Sequence, residues 1–229
     1  MEALYNSPFF GIALSAAAFC IGWAAQKKTR LTICNPLLIA VVLIIAVLLV
    51  FKIPYEHYYR GGVFIDMLLT PATACLGISI YSRLETLKKH WLPILSGCVA
   101  GSAASMLSVW ALCGIFRLDD ALTRSLLPKS VTTPIAVTIA AEQGGIPPVT
   151  AAAVVFTGLL GSLLSPGMIK LFRLKNPIAA GLGIGACSHV GGTARALEIG
   201  ETEGAMSSLA IGLCGIVTVI LGTFFYALI

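Results

Sequence analysis

Charge is scarce in this chain. Only 11% of its 229 residues are Asp, Glu, Lys or Arg, whereas soluble domains carry about 25%, so no ordinary water-facing surface can be covered. Strand alternation is missing too: runs such as Leu37 to Val50 are apolar at every position, which excludes the in-out pattern of a barrel strand. No HExxH, GxSxG or GxxxxGK[ST] pattern occurs, which leaves an enzyme or an ATP-driven pump without its chemistry. The seven cysteines (Cys20, Cys34, Cys75, Cys98, Cys113, Cys187 and Cys214) contain no CxxC pair and lie in or beside apolar runs. They read as small core residues rather than metal ligands or disulfides, and neither metal nor cofactor is expected. The net charge of +5 comes from scattered basic residues without a stacking surface, so it reports membrane orientation rather than nucleic-acid binding.

What is present is apolar length. Hydrophobic residues make up 58% of the chain and the mean hydropathy is +0.94. Five stretches lack any ionisable Asp, Glu, Lys, Arg or His: Tyr5 to Gln26, Leu31 to Phe51, Trp91 to Phe116, Gln143 to Ile169 and Gly204 to Ile229. Each reaches the ~20 residues that a helix needs to cross a bilayer. Gly61 to Ser82 (with Asp66), Ser130 to Ala141 and Asn176 to Ala194 (with His189) are apolar but interrupted. The fold class is therefore all-α: one integral membrane domain over 1–229, a polytopic bundle of about 6–8 spans that includes broken or re-entrant helices.

No cleavable leader is expected, because the basic cluster Lys27, Lys28 and Arg30 follows the first span rather than preceding it. The positive-inside rule puts that cluster in the cytoplasm and the amino terminus outside. Further along, Arg117, Arg124 and Lys129, then Lys170, Arg173 and Lys175, cannot all be inside unless a segment turns back.

Pro and Gly clusters at membrane depth mark backbone that protein or water must satisfy in place of the helix itself. Three occur: Leu69-Thr70-Pro71-Ala72-Thr73 after Asp66; Pro128 to Pro134 with Gln143 to Pro148; and Ser188 to Arg195. Two of them open a short apolar segment on Thr-Pro, and Asn35-Pro36 and Asn176-Pro177 each open an apolar run. Such recurrence is what an internal duplication would leave, with halves near 31–116 and 117–229, and repeats of this kind are common in secondary transporters.

Ionisable groups inside a span need a partner or a function. His189 and Arg195 flank Gly191-Gly192-Thr193, where the backbone can leave the helix. Free amides, a Thr hydroxyl and a guanidinium suit a small carboxylate. The candidate substrate site is Ser130, Thr132, Thr133, Ser188, His189, Gly191, Gly192, Thr193 and Arg195, with Thr70, Asp66, Lys129 and Glu198 in support. Each has a structural reading beside the functional one. His189 could be a bonded packing residue, the three hydroxyls could serve backbone freed by Pro134, Lys129 could snorkel, and Glu198 could pair with Arg195 one turn away.

Pro128-Lys129-Ser130-Val131-Thr132-Thr133-Pro134-Ile135-Ala136, Gly144-Gly145-Ile146-Pro147 and above all Ser188 to Glu198, followed by Glu201 to Gly204 and Ser207 to Ala210, closely resemble the LrgB/CidB family of bacterial inner-membrane proteins. The resemblance implies two functions. One is the antiholin-like or holin-like control of murein hydrolase export and cell lysis, beside a smaller LrgA/CidA-type membrane partner. The other follows from related carriers, the plastid glycolate/glycerate transporter and bacterial members connected with pyruvate: a carrier for small monocarboxylates. The broken helices and polar residues at depth favour the carrier, since a pore needs neither. A homodimer is expected from the small-residue spans and from the family.

Overall fold

The computed structural model describes residues 5, 7–29, 36–68, 71, 74, 75, 78, 81, 82 and 84–228. Among these the regular structure is helical and no strand forms. Four helices are long and apolar enough to cross a membrane: Pro8–Thr29, Trp91–Ile115, Pro147–Leu171 and Glu201–Phe225. The chain divides into two compact units, Met1–Ala72 and Thr73–Ile229.

The first unit contains α1 (Pro8–Thr29), α2 (Pro36–Val50) and α3 (Tyr55–Asp66). Glycines let α1 touch both partners. Gly11 lies against the backbone of Tyr58 and Gly61, and Gly22 lies against Pro36. Ser15 Oγ and Tyr58 Oη share a hydrogen bond of 2.9 Å. Asp66 ends α3 on an exposed position. Thr70, its expected companion, lies outside the described residues.

The second unit holds α4 (Leu84–Lys89), α5 (Trp91–Ile115), α6 (Asp120–Leu126), α7 (Thr133–Glu142), α8 (Pro147–Leu171), α9 (Pro177–Ile199), α10 (Glu201–Phe225) and a closing 3-10 turn, Tyr226–Leu228. α10 is its axis. Half of the most apolar stretch of α10 is buried, against 28% for α5 and 17% for α8.

α6 and α7 form a hairpin that goes in and comes back. At its base Arg124 Nη1 donates to the Gln143 carbonyl at 3.0 Å, Ser125 Oγ accepts the Ile146 N–H at 2.6 Å, and Thr150 Oγ1 donates to the Ser125 carbonyl at 2.9 Å. These bonds tie the outgoing arm to the start of α8. At its tip Ser130 Oγ meets Ser105 Oγ at 2.5 Å, and Val131 and Ala136 pack on Val154. Ser105 is about 15 Å from the end of α5, and Val154 about 10 Å from the start of α8. The tip therefore reaches near the middle of the unit, while both arms open on the face where α5 ends.

α9 is a second hairpin. Gly181 packs on Glu203 and Met206, and Gly185 on Ser207 and Ala210, so the first arm runs parallel to α10. Beyond His189 the order inverts, because Thr193 bonds Ser207 and Leu197 lies against Gly204. Gly192 comes so close to Ile184 that a Cβ on it would stand 2.8 Å from Ile184 Cγ2. In one continuous helix, residues eight apart would be separated by about 12 Å. The reversal happens at a single residue, His189, with φ 40° and ψ −135°.

This hairpin opens on the opposite face, where α5 and α10 begin and α8 ends. Hairpin plus span (α6–α7 with α8, then α9 with α10) thus occurs twice with inverted orientation, both copies within 120–225, a different division from the halves near 31–116 and 117–229 expected from sequence. The turned-back arms also explain the basic loops. Lys88, Lys89, Lys170, Arg173 and Lys175 fall on one face, whereas the other carries Arg117 and Arg124 among Asp119, Asp120 and Glu142.

Candidate functional site

The two tips arrive at the same level from opposite faces. Ser188 sits against Gly161 and His189 against Gly158, near the middle of α8, while Ile135, just past the first tip, touches Gly215, near the middle of α10. A Cβ on Gly158 would stand 2.7 Å from His189 Cε1, and one on Gly191 would stand 2.8 Å from the Gly158 backbone. Bare backbone on α8 is what lets the second tip come this near.

His189 is 7% exposed. Its Nε2 lies 3.0 Å from the Val154 carbonyl, an atom that can only accept, so Nε2 carries the proton and donates it. The ring thereby pins a backbone conformation that residues with a Cβ rarely adopt. Thr193 Oγ1 contacts the His189 carbonyl at 2.9 Å and Ser207 Oγ at 2.6 Å, which ties the returning arm to α10.

At the first tip the chain from Leu127 to Thr132 lies between helices, yet Leu127, Pro128, Ser130, Val131 and Thr132 are buried. Two turn bonds hold it, Lys129 N–H to the Leu126 carbonyl at 3.1 Å and Val131 N–H to the Pro128 carbonyl at 3.2 Å. Thr132 opens α7 without capping it. Its Oγ1 is buried and has no hydrogen-bond partner, although the residue is only 4% exposed. An unmatched buried hydroxyl costs roughly 1–3 kcal/mol, so it is a place where a ligand oxygen would be favoured. Lys129, three residues earlier on the same tip, is half-buried with Nζ 3.4 Å from Ser130 Oγ, and lies within electrostatic reach of Cys187 and His189.

The structure therefore brings Lys129, Ser130, Thr132, Ser188 and His189 to the meeting of the two tips. Thr133, Gly191, Gly192 and Thr193 belong to the first turns of the arms leading away. The expected unwinding from Ser188 to Arg195 is narrower than the sequence suggested: only His189 leaves helical geometry. Gly191 and Gly192 stay in the helix because their contribution is close approach to α8 and to the first arm. Arg195 lies six residues beyond the tip, about 9 Å along the returning arm. It is paired with Glu198 and its side chain is one-third exposed, although its Nε is buried without a hydrogen-bond partner. Sequence reading set Lys129 in a supporting role because a lysine near a Pro is an ordinary interfacial residue, and nothing local shows that this Pro is at a tip.

Residues 15–228 match the LrgB-like family. The chain belongs to the LrgB family. Among relatives of this LrgB-family chain, the "Antiholin-like protein LrgB" of Bacillus subtilis (strain 168) is 40% identical over 224 residues, covering 97% of each chain. The proteins of the same name in Bacillus mycoides (strain KBAB4) and Bacillus cereus (strain B4264) are each 40% identical over 215 residues, covering 93% of this chain and 94% of theirs. No solved structure matches it.

Proposed function

We propose that this LrgB-family chain is a non-enzymatic membrane carrier for small monocarboxylates of the pyruvate, glycolate or glycerate kind, bound where the two hairpin tips meet. The observation that carries the reading is a pair of inverted hairpins, one from each face, ending at the same depth, the first of them on an ammonium group and an unmatched hydroxyl. Non-helical backbone at that depth is tolerated only where protein or a hydrated cavity surrounds it, and interrupted helices of inverted repeats hold substrates in other carriers. Lys129 would take the carboxylate and Thr132 its neighbouring oxygen. Each hairpin would screen the site from one face, so that movement of one tip at a time gives alternate access.

Proteoliposome uptake of labelled pyruvate, glycolate and glycerate tests this. Saturable uptake of at least one acid is expected, reduced at least tenfold in Lys129→Gln. Absence of uptake, or uptake indifferent to that substitution, would overturn the assignment.

The relatives' names favour a second reading more directly than the first: an antiholin-like role. On that reading we propose a factor in a bacterial inner membrane that modulates murein hydrolase export and lysis beside a small LrgA/CidA-type partner. Deleting the gene and scoring lysis, with co-purification of a small membrane protein or of a second copy, tests it. A lysis phenotype unaffected by Lys129→Gln would detach that role from the tip site.

A further inference from the structure

We infer that Lys129 is the resident counter-charge of the site, so that the carrier crosses the membrane field electrically neutral when loaded with a monoanion and positively charged when empty. The inference rests on the carrier reading and adds to it a rule for charge. Among the described residues of this unit, Lys129 is the one Lys, Arg, Asp or Glu placed at the depth of the tips. The other Lys, Arg, Asp and Glu side chains stand within about two turns of a helix end that lies at one face of the unit rather than at a tip. Arg195, the deepest of them, is already neutralised by Glu198. His189 commits its Nε2 proton to the Val154 carbonyl. The Lys129 ammonium has Ser130 Oγ as its hydrogen-bond partner, and a hydroxyl leaves its charge intact.

A carboxylate on Lys129 therefore makes a neutral pair, with the Thr132 hydroxyl free for a second oxygen. Two carboxylates would leave a buried negative charge without a partner, which argues against dianions. When the acid leaves, the ammonium must return alone. Voltage then acts on the empty return and not on the loaded step. One charge across 100 mV changes an equilibrium about fiftyfold, and a rate with a symmetric barrier about sevenfold.

Labelled pyruvate in proteoliposomes clamped with potassium and valinomycin reads this directly. With saturating pyruvate on both sides, exchange uses only the loaded step, and its rate should change less than twofold between 0 and 100 mV. Efflux into pyruvate-free medium needs the empty return and should change about sevenfold. Lys129→Arg keeps both behaviours, whereas Lys129→Gln makes exchange itself voltage-dependent. Voltage-dependent exchange in the unmodified protein overturns the inference while leaving a carrier in place. Efflux that ignores voltage also overturns it, since a co-bound proton would then be the neutralising charge. Absence of saturable pyruvate flux in either mode overturns both the inference and the carrier reading.

Discussion

One close fit at the tip of the second hairpin is between His189 and Gly158, and a single methyl group tests it. In Gly158→Ala the new Cβ would stand 2.7 Å from His189 Cε1, about 0.8 Å inside ordinary carbon contact. The ring has little room to retreat, because its Nε2 is held 3.0 Å from the Val154 carbonyl and the residue is buried. Overpacking of this kind costs about 1–3 kcal/mol, and losing the ring's hydrogen bond adds about 1 kcal/mol, so about 2–4 kcal/mol is expected. The assay is the unfolding midpoint in mixed micelles, read for Gly158→Ala, His189→Ala and the double variant. Removing the ring should make the methyl nearly harmless, with a coupling of about 1–3 kcal/mol between the sites. Gly183→Ala, which would meet nothing within 4 Å, serves as the control and should be neutral or slightly stabilising. Equal stability of Gly158→Ala and the parent, or the same loss with and without the His189 ring, would refute the placement of the tip on α8.

Three further outcomes follow from the same geometry. Thr132→Val should leave the unfolding midpoint unchanged or raised, because it removes an unmatched buried hydroxyl, yet weaken pyruvate affinity by about tenfold, the equivalent of about 1.4 kcal/mol; direct binding measured by calorimetry checks it. Thr193→Val and Ser207→Ala should each cost about 0.5–1.5 kcal/mol through their shared 2.6 Å bond, and the double variant should cost less than the two added, as read by micelle unfolding. An epitope inserted in the loop between Leu171 and Pro177 should be reached only from the cytoplasmic side, and one at Leu118 only from outside, because the first of these faces carries the excess of Lys and Arg.

Much of this was readable from residues alone. Absence of charge required lipid, uncharged length located the long spans, and Pro128 to Pro134 together with Gln143 to Pro148 delimited the first hairpin, since clustered prolines disfavour a helix interior. The second hairpin was harder. Its turning point carries no proline, and Gly191-Gly192 looks like the natural place to unwind. The chain instead reverses at His189 because a side-chain bond to Val154 holds it there, across 35 positions of sequence. Partner choice for Arg195 was visible as an i,i+3 pair with Glu198, but the importance of Lys129 depended on how deep its loop descends, and depth is set by long-range contacts such as Ser105 with Ser130.

The reversal at His189 also constrains how the protein is made. A nascent Asn176-to-Gly200 segment leaving the ribosome has neither α10 to lie along nor a way to satisfy its turning backbone in hydrocarbon, so it cannot settle as an independent insertion unit. Its final descent must wait for Glu201–Phe225 to be synthesised and laid beside α5, which makes the most chemically unusual part of the chain one of the last to find its place.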